Sequence, residues 1–265
     1  MYASSFVALL GLKSVSGLSI RHASPSHSCA EFARNLDMSA FNTTILNSTQ
    51  YAVGAYDLPS AQSGQNMTNA YAFCEVSAVV NYGDDDKLHF LTWLPDSIEY
   101  RDRFLAVGDG GFAGSVSTSD MLTDLNLGLG FAIAGGDAGH PVSSNGNITG
   151  SSGGVIPFMQ DPDEVTAWLH NAISLFTPAA KAIVEAMYSN HIEHSYYAGC
   201  STGGAQGFSL AQFHPELFDG IVAGSPGNWY SHLMLSFLWD SLQTSVGRRL
   251  PLTYGHALRK SPDDV

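Results

Sequence analysis

The sequence predicts one large α/β domain, and three observations lead to that prediction. The chain has 265 residues, of which 45% are apolar and 13% charged, so it can bury a substantial core and is neither disordered nor fibrous. Short apolar runs with strand character recur from about residue 70 onward, and several of them end at glycine loops. In the second half of the chain they alternate with helical periodicity, which is typical of a sheet with parallel strands covered on both faces.

The first regular elements in chain order are expected to be strands. Residues 24–70 are rich in Ser, Asn, Thr and Gln and show little periodicity, so we expect an irregular entry region there. Residues 71–82 and 88–94 are predicted to be neighbouring strands joined by an acidic turn. Two shorter apolar strands are predicted at 103–107 and 131–134.

Helices and strands alternate in the rest of the chain. Apolar residues three or four positions apart predict a long helix over residues 165–190, which Pro178 is expected to break or kink. The next predicted elements are a strand at 194–198, a helix at 203–213 and a buried strand at 220–223. The pattern then becomes aromatic and partly helical over residues 229–242.

The charge balance excludes some classes of function. Lys and Arg number 11 against 24 for Asp and Glu, which gives a formal net charge of −13. A nucleic-acid-binding protein needs a basic face, and attachment to anionic membranes needs clustered cations. We therefore expect neither nucleic acid nor membrane as a partner, and no apolar run is long enough to predict a membrane span.

The N-terminal region and the glycosylation sequons favour a secreted, extracellular protein. Residues 1–17 contain a short apolar stretch followed by small residues, as in a secretory signal peptide, although a frayed apolar N-terminus is the alternative. Composition alone would give about two Asn-x-Ser/Thr sequons, and the chain has more. The four candidate glycosylation sites are Asn42, Asn47, Asn66 and Asn147.

The three cysteines allow one internal disulfide and leave one thiol. We expect Cys29 to pair with Cys74, because both lie in the N-terminal portion of the chain. Cys200 then has no partner.

A Gly-x-Ser-x-Gly pattern places Ser201 between the predicted strand at 194–198 and the helix that follows. A nucleophilic serine on such a strained turn needs glycines two positions away on either side, because side chains there would collide with neighbouring backbone. The alternative is a merely structural glycine turn. A second copy of the pattern, centred on Ser152, lies in a polar loop with no strand before it, so we expect Ser201 to be the nucleophile.

An acyl-transfer site also needs hydrogen-bond donors for the oxyanion. The candidates are the backbone N–H groups of Thr202, at the start of the helix, and of Gly110 and Gly111, in the loop after the strand at 103–107. A plain glycine turn is the alternative for that loop. Strand, glycine loop and serine turn occur in the order expected of an α/β-hydrolase fold.

The acid and the histidine of a catalytic triad should follow the serine on loops after later strands. No further pair of strands is predicted after 220–223, and each remaining candidate is more easily explained by a structural role. These candidates are Asp219, Asp240, Asp263 and Asp264 as acids and His214, His232 and His256 as bases. The loop at 137–140 either lines the cleft or is purely structural, and the acidic residues 84–86 are predicted to form a solvated turn, so no metal site is predicted.

Several segments resemble the tannase and feruloyl esterase family of secreted fungal enzymes. They are residues 199–207 (GCSTGGAQG), 214–226 (HPELFDGIVAGSP), 100–114 (YRDRFLAVGDGGFAG), 136–140 (GDAGH) and Trp229. In that family the cysteine before the nucleophile forms a disulfide with a cysteine directly after the catalytic histidine. The resemblance therefore implies that Cys200 fixes the serine turn and that its partner lies in a part of the family's sequence that this chain lacks.

The catalytic Asp, the His-Cys pair, the lid cysteines and the Asp-rich calcium loop of the family are not found in this sequence. We therefore expect an incomplete α/β-hydrolase domain over residues 18–228, without the C-terminal strands and most of the lid. Residues 229–265 are expected to be the start of the lid and a divergent tail. No cofactor is expected, because the family's lid calcium site is absent.

The resemblance implies a serine carboxylic ester hydrolase that acts on small or polysaccharide-linked aromatic esters, either feruloyl or galloyl, through an acyl-enzyme on Ser201. Because no acid and base are identified, we expect this chain to be inactive by itself. The alternative is a non-catalytic secreted remnant, or a protein that binds phenolic or glycan ligands. Such a protein would use the aromatic stretch that contains Trp229, Tyr230, Phe237 and Trp239.

Overall fold

The computed structural model describes residues 28–59, 66–112, 114–140 and 157–245. Several of the sequence predictions lie outside these ranges, namely the signal peptide at 1–17, the sequon at Asn147, the alternative serine Ser152, and the candidates His256, Asp263 and Asp264. No helix in the described ranges is both long enough and apolar enough to cross a membrane.

A seven-stranded mixed sheet forms the centre of the fold, in the order β1-β4-β5-β7-β6-β8-β9. The strands are β1 (Thr43–Tyr51), β4 (Phe73–Tyr82), β5 (Asp86–Pro95), β6 (Arg103–Val107), β7 (Phe131–Gly136), β8 (His194–Cys200) and β9 (Gly220–Gly224), while β2 (Asp57–Pro59) and β3 (Asn66–Thr68) form a separate hairpin. β7, β6, β8 and β9 run parallel, whereas β1, β4, β5 and β7 pair antiparallel. The α/β class is therefore confirmed, with parallel strands in the half that carries Ser201.

Helices cover both faces of the sheet. They are α1 (Cys29–Arg34), α2 (Thr118–Asn126), α3 (Pro162–Thr166), α4 (Ala172–Tyr188), α5 (Thr202–Phe213) and α6 (Tyr230–Ser245), with a π-helical turn at Ala167–Asn171 and 3₁₀ turns at Ser39–Phe41, Pro157–Gln160 and Pro215–Leu217.

Strand β6 illustrates why a layer of helices is needed on each face of the sheet. Phe104 belongs to the larger core beneath α4, and Leu105 belongs to the smaller core beneath α2. Alternate side chains of a strand point to opposite faces, so a strand that is apolar at every position needs cover on both.

The prediction of an irregular region over residues 24–70 is wrong. This region contains α1, the hairpin and strand β1, which pairs with β4 from Thr43 to Tyr51. β1 is an edge strand, and most of its side chains are exposed or half-buried. An edge strand with one solvated face needs few apolar residues, so its Thr-rich and Asn-rich sequence carries little hydrophobic signal.

The long helix predicted over residues 165–190 is interrupted, but not at Pro178. Helix α4 runs through Pro178, and the irregularity is the π-helical turn at Ala167–Asn171 between α3 and α4. In this turn the amide of Ala172 donates to the carbonyl of Ala167. Turns of this kind are frequent at functional sites.

The predicted disulfide between Cys29 and Cys74 is confirmed, with a Cα–Cα distance of 5.6 Å. It joins the first residue of α1 to β4 across 45 residues of sequence. Cys200 is the free, exposed cysteine, as expected.

We expect the variant Cys29→Ala/Cys74→Ala to lose about 4 kcal/mol in free energy of unfolding, because the bridge removes loop-closure entropy from the unfolded chain. Urea denaturation followed by tryptophan fluorescence measures this loss. Cys200→Ser is the matched control, since its thiol is exposed and unbridged, and it should unfold at the wild-type urea concentration. Equal midpoints for the double variant and the control would contradict the prediction.

Candidate active site

Ser201 occupies a sharp turn between β8 and α5. Its backbone lies at φ 60° and ψ −115°. For a residue other than glycine, this conformation carries a strain energy on the order of 1–3 kcal/mol. Two hydrogen bonds hold the turn: the Ser201 amide donates to the Gly224 carbonyl at 3.0 Å, and the Gly227 amide donates to the Ser201 carbonyl at 2.8 Å. The serine itself is exposed to solvent. The predicted strand, turn and helix around Ser201 are therefore present, with the hydroxyl free to meet a ligand.

The glycines around Ser201 are required by close backbone contacts. A Cβ on Gly199 would lie 2.7 Å from the backbone of Gly203, and one on Gly203 would lie 2.7 Å from the carbonyl oxygen of Asp109. A Cβ on Gly204 would collide with the carbonyl oxygen of Gly224. The glycine pattern thus reflects how tightly α5 approaches its neighbours, as the nucleophile turn demands.

Residues 108–112, called the oxyanion loop below, follow β6 and lie against the start of α5. The Gly108 amide donates to the Ala198 carbonyl at 2.9 Å, and the Gly203 amide donates to the Asp109 carbonyl at 2.6 Å. Among the described residues, the amides of Thr202, Gly110 and Gly111 donate no hydrogen bond. Free backbone N–H groups beside a nucleophile are what an oxyanion hole needs.

Side chains also contact the oxyanion loop. The Gly111 carbonyl accepts hydrogen bonds from the Thr202 hydroxyl at 2.6 Å and from the Trp168 indole N–H at 3.2 Å. The Tyr230 hydroxyl donates to the Thr202 hydroxyl at 2.8 Å. Sequence reasoning missed the roles of Trp168 and Tyr230, since a helical apolar pattern gives no sign of a contact 57 positions away.

The loop at 137–140 is a buried structural loop. The Asp137 carboxylate accepts from the backbone amides of His89 and Gly139, each at 3.1 Å, and lies 3.1 Å from His89 Nδ1. His140 is buried and stacks on Phe158 with the ring centroids 3.8 Å apart. Burial lowers the pKa of His140 to about 4, so its imidazole is neutral at pH 7. These contacts favour the structural alternative for this loop.

Asp109 is the buried acid of the oxyanion loop. Burial, and secondarily the charge of Asp137, raises its pKa well above the ordinary value of an aspartate. Its Oδ2 has no hydrogen-bond partner among the described residues. Burial of this carboxyl therefore disfavours its charged form.

The other described candidate acids and bases contact groups other than the Ser201 hydroxyl or are exposed. The Asp219 carboxylate accepts from the Ser195 amide at 2.7 Å. Ser195 lies near the start of β8, and the extended strand places it roughly 20 Å from Ser201. His214 follows the far end of α5, and its Nδ1 lies 3.9 Å from Glu216. His232 stacks on Trp229 at 3.8 Å, and Asp240 is exposed on α6. Within the described ranges, no imidazole is hydrogen-bonded to the Ser201 hydroxyl.

Three carboxylates, one of them far from the other two in the sequence, meet near the surface. Asp86, at the end of the predicted acidic turn, has Asp161 and Asp163 close by, with oxygens of all three within 4.8 Å of one another. Asp161 caps α3 by accepting from the amides of Asp163 and Glu164. Capping explains the position of Asp161, and we assign no metal to the group. Sequence reasoning missed the grouping because 75 positions separate Asp86 from Asp161.

Comparison with known proteins agrees with this geometry. Residues 74–251 match the family described as tannase and feruloyl esterase. The chain is 34% identical over 186 residues to a probable feruloyl esterase B of Aspergillus clavatus, which covers 68% of this chain and 33% of that protein. It is 29% identical over 216 residues to a probable feruloyl esterase B-1 of Aspergillus flavus, covering 77% and 38% respectively.

Solved structures show the same fold. The crystal structure of feruloyl esterase B from Aspergillus oryzae superposes with a TM-score of 0.62 at 29% identity, over 75% of this chain and 36% of that one. Tannin acyl hydrolase from Aspergillus niger superposes with a TM-score of 0.58 at 24% identity, over 78% and 39%. The chain thus spans between a third and two fifths of the length of these relatives.

Proposed function

The chain belongs to the tannase and feruloyl esterase family, and from that premise we propose that it supplies the nucleophile and the oxyanion hole of a secreted serine esterase for aromatic acyl esters. The observation that carries this proposal is the strained, solvent-exposed Ser201 next to three backbone amides without a partner among the described residues. The glycine contacts support it, because they give α5 the close approach that the turn requires.

In the proposed reaction the Ser201 oxygen attacks the ester carbonyl carbon while a general base takes the hydroxyl proton. The carbonyl π electrons move to oxygen, and the amides of Thr202, Gly110 and Gly111 donate to that oxyanion. When the intermediate collapses, the ester C–O bond breaks, the alcohol leaves with the proton, and the acyl group remains on Ser201. Water then repeats the sequence and releases the acid. The base and the acid that orients it are not supplied by any described residue.

The names of the relatives suggest the substrate class. They are described as feruloyl esterases and a tannin acyl hydrolase, so we propose feruloyl or galloyl esters, either small or linked to polysaccharide, as substrates. Aromatic side chains surround the site in support: Phe112 and Tyr230 are half-buried, and both pack on Trp168.

The surface is compatible with the proposed secretion. Asn42, Asn47 and Asn66 are all exposed, as acceptor asparagines must be, and the Cys29–Cys74 bridge is typical of an oxidising compartment. We propose an extracellular glycoprotein on these grounds.

A binding function is the second candidate. On and next to α6, the side chains of Trp229, Phe237 and Trp239 are 71%, 56% and 63% exposed, which favours a surface that stacks on phenolic or sugar rings. Calorimetric titration with methyl ferulate separates the two candidates. A pure binder would bind through these residues and would be unaffected by changes at Ser201.

A fluorophosphonate probe tests the proposed nucleophile directly, because it phosphonylates reactive serines. In a form of the protein that hydrolyses methyl ferulate, and so has a general base for Ser201, we expect mass-spectrometric peptide mapping to find the adduct on Ser201, and we expect Ser201→Ala to remain unlabelled. Ser152→Ala is the matched control, since it removes the serine of the other Gly-x-Ser-x-Gly copy and should be labelled like the wild type. An adduct on Ser152, or no adduct after prolonged incubation, would refute the assignment.

A further inference from the structure

We propose that the side chains of Trp168 and Thr202 are positioning residues that hold the oxyanion loop in its working geometry through the Gly111 carbonyl. This inference rests on the proposed function, because the loop matters only if its amides receive an oxyanion. It assigns roles to a buried tryptophan and to the hydroxyl of the residue after the nucleophile. We call the Gly111 carbonyl with these two side chains the loop clamp.

The tip of the oxyanion loop has no packing to hold it. Gly110 and Gly111 are exposed, and a Cβ built on either would meet no atom within 4 Å. Gly111 has φ +61°, and glycine is the residue with the greatest backbone freedom. Van der Waals contacts therefore do not fix the direction of these amides, and polar contacts have to do so.

The loop clamp supplies two such contacts from different elements. Thr202 Oγ1 donates to the Gly111 carbonyl from the start of α5, and Trp168 Nε1 donates to it from the π-helical turn. A carbonyl oxygen has two lone pairs, so both are used. The two hydrogen bonds restrain the backbone of Gly111, and thereby also the amides on either side of it.

Both donors are themselves fixed. Thr202 Oγ1 accepts from the Tyr230 hydroxyl at 2.8 Å, which directs its single proton toward Gly111. Trp168 is 3% exposed, and its backbone carbonyl accepts from Gln206 Nε2 at 2.8 Å. Trp168 is the second residue of the π-helical turn at Ala167–Asn171.

Thr202 links the two halves of the proposed oxyanion hole. Its amide is one donor, and its hydroxyl holds the loop that carries the others. The clamp therefore fixes the distance between the Thr202 amide, which follows β8, and the loop amides of Gly110 and Gly111, which follow β6. Because negative charge on the oxygen develops only on the way to the tetrahedral intermediate, loss of the clamp should slow the chemical step and leave initial binding nearly unchanged.

The first test uses a form of the protein that hydrolyses methyl ferulate and follows the fluorophosphonate reaction of Ser201, separated into the affinity for the probe (KI) and the maximal inactivation rate (kinact). We expect Thr202→Val and Trp168→Phe each to lower kinact by about 10- to 100-fold with KI nearly unchanged. Thr202→Ser keeps the hydroxyl and should restore kinact to within about threefold of the wild type. Equal loss in the Val and Ser variants, or a loss confined to KI, would overturn the proposal.

A second readout does not depend on the reactivity of Ser201. In ¹⁵N-tryptophan-labelled protein, the Trp168 indole N–H signal, assigned with Trp168→Phe, should shift and exchange faster with solvent in Thr202→Val, and should stay in place in Thr202→Ser. If the form that hydrolyses methyl ferulate is not phosphonylated on Ser201 but the indole signal responds as expected, the proposed function fails and the clamp stands. An indole signal that is the same in the wild type and Thr202→Val would refute the clamp.

Discussion

Ser201→Ala is expected to lower kcat/KM for methyl ferulate by at least about 10⁴-fold in any form of the protein that hydrolyses this ester. In the proposed reaction this hydroxyl forms the acyl-enzyme, so its removal should abolish that step. The small residual rate should reflect the oxyanion donors alone, which remain in place in the variant. Hydrolysis is followed by chromatography of released ferulic acid.

The control for this experiment is Ser152→Ala, which should retain wild-type kcat/KM. Circular dichroism should show the same melting temperature or a slightly higher one for Ser201→Ala, because the variant keeps the backbone of the turn. Full activity of Ser201→Ala would remove Ser201 from the mechanism, and a loss of activity in both variants would point to a folding defect.

The chain of 265 residues, purified by itself, is expected to hydrolyse methyl ferulate and methyl gallate at least about 10⁴-fold more slowly than an enzyme with a complete triad. Within the described residues, no imidazole is hydrogen-bonded to the Ser201 hydroxyl, and a serine hydroxyl at neutral pH is a poor nucleophile without such a base. Initial rates with both esters at pH 7 measure this.

Two variants make the result informative. His232→Ala and His214→Ala should both leave the low rate unchanged, because His232 stacks on Trp229 and His214 lies beyond the far end of α5. Rapid hydrolysis by the chain would contradict the prediction, and a loss of that activity in His232→Ala or His256→Ala would identify the base.

The features that the sequence predicted correctly are those specified by neighbouring residues. β6 was predicted with its observed bounds, because a run of four apolar residues after Arg103 ends at a glycine loop. The turn at Ser201 was predicted for a similar reason, since the strand, the glycines and the helix are all adjacent to it. The Cys29–Cys74 pairing was predicted because both cysteines lie in the N-terminal portion of the chain.

The features that were missed depend on contacts between distant segments. Strand β1 gains its conformation from pairing with β4, and its own polar sequence does not predict it. The π-helical turn at Ala167–Asn171 brings Trp168 to a carbonyl 57 positions away, and no local pattern specifies that contact. Tyr230 similarly reaches Thr202 from a helix whose apolar residues gave only an aromatic pattern.

Within the described residues, the two edges of the sheet differ in the character of their side chains. β1, at one edge, carries polar side chains and the sequon at Asn47, and a glycan there would block another strand from pairing. β9, at the other edge, is a short apolar strand in which Val222 is 67% exposed. Unpaired apolar edges recruit strands from other molecules. Among the described strands, β9 is therefore the edge at which we expect strands of other molecules to pair, and a charged residue in place of Val222 should reduce self-association.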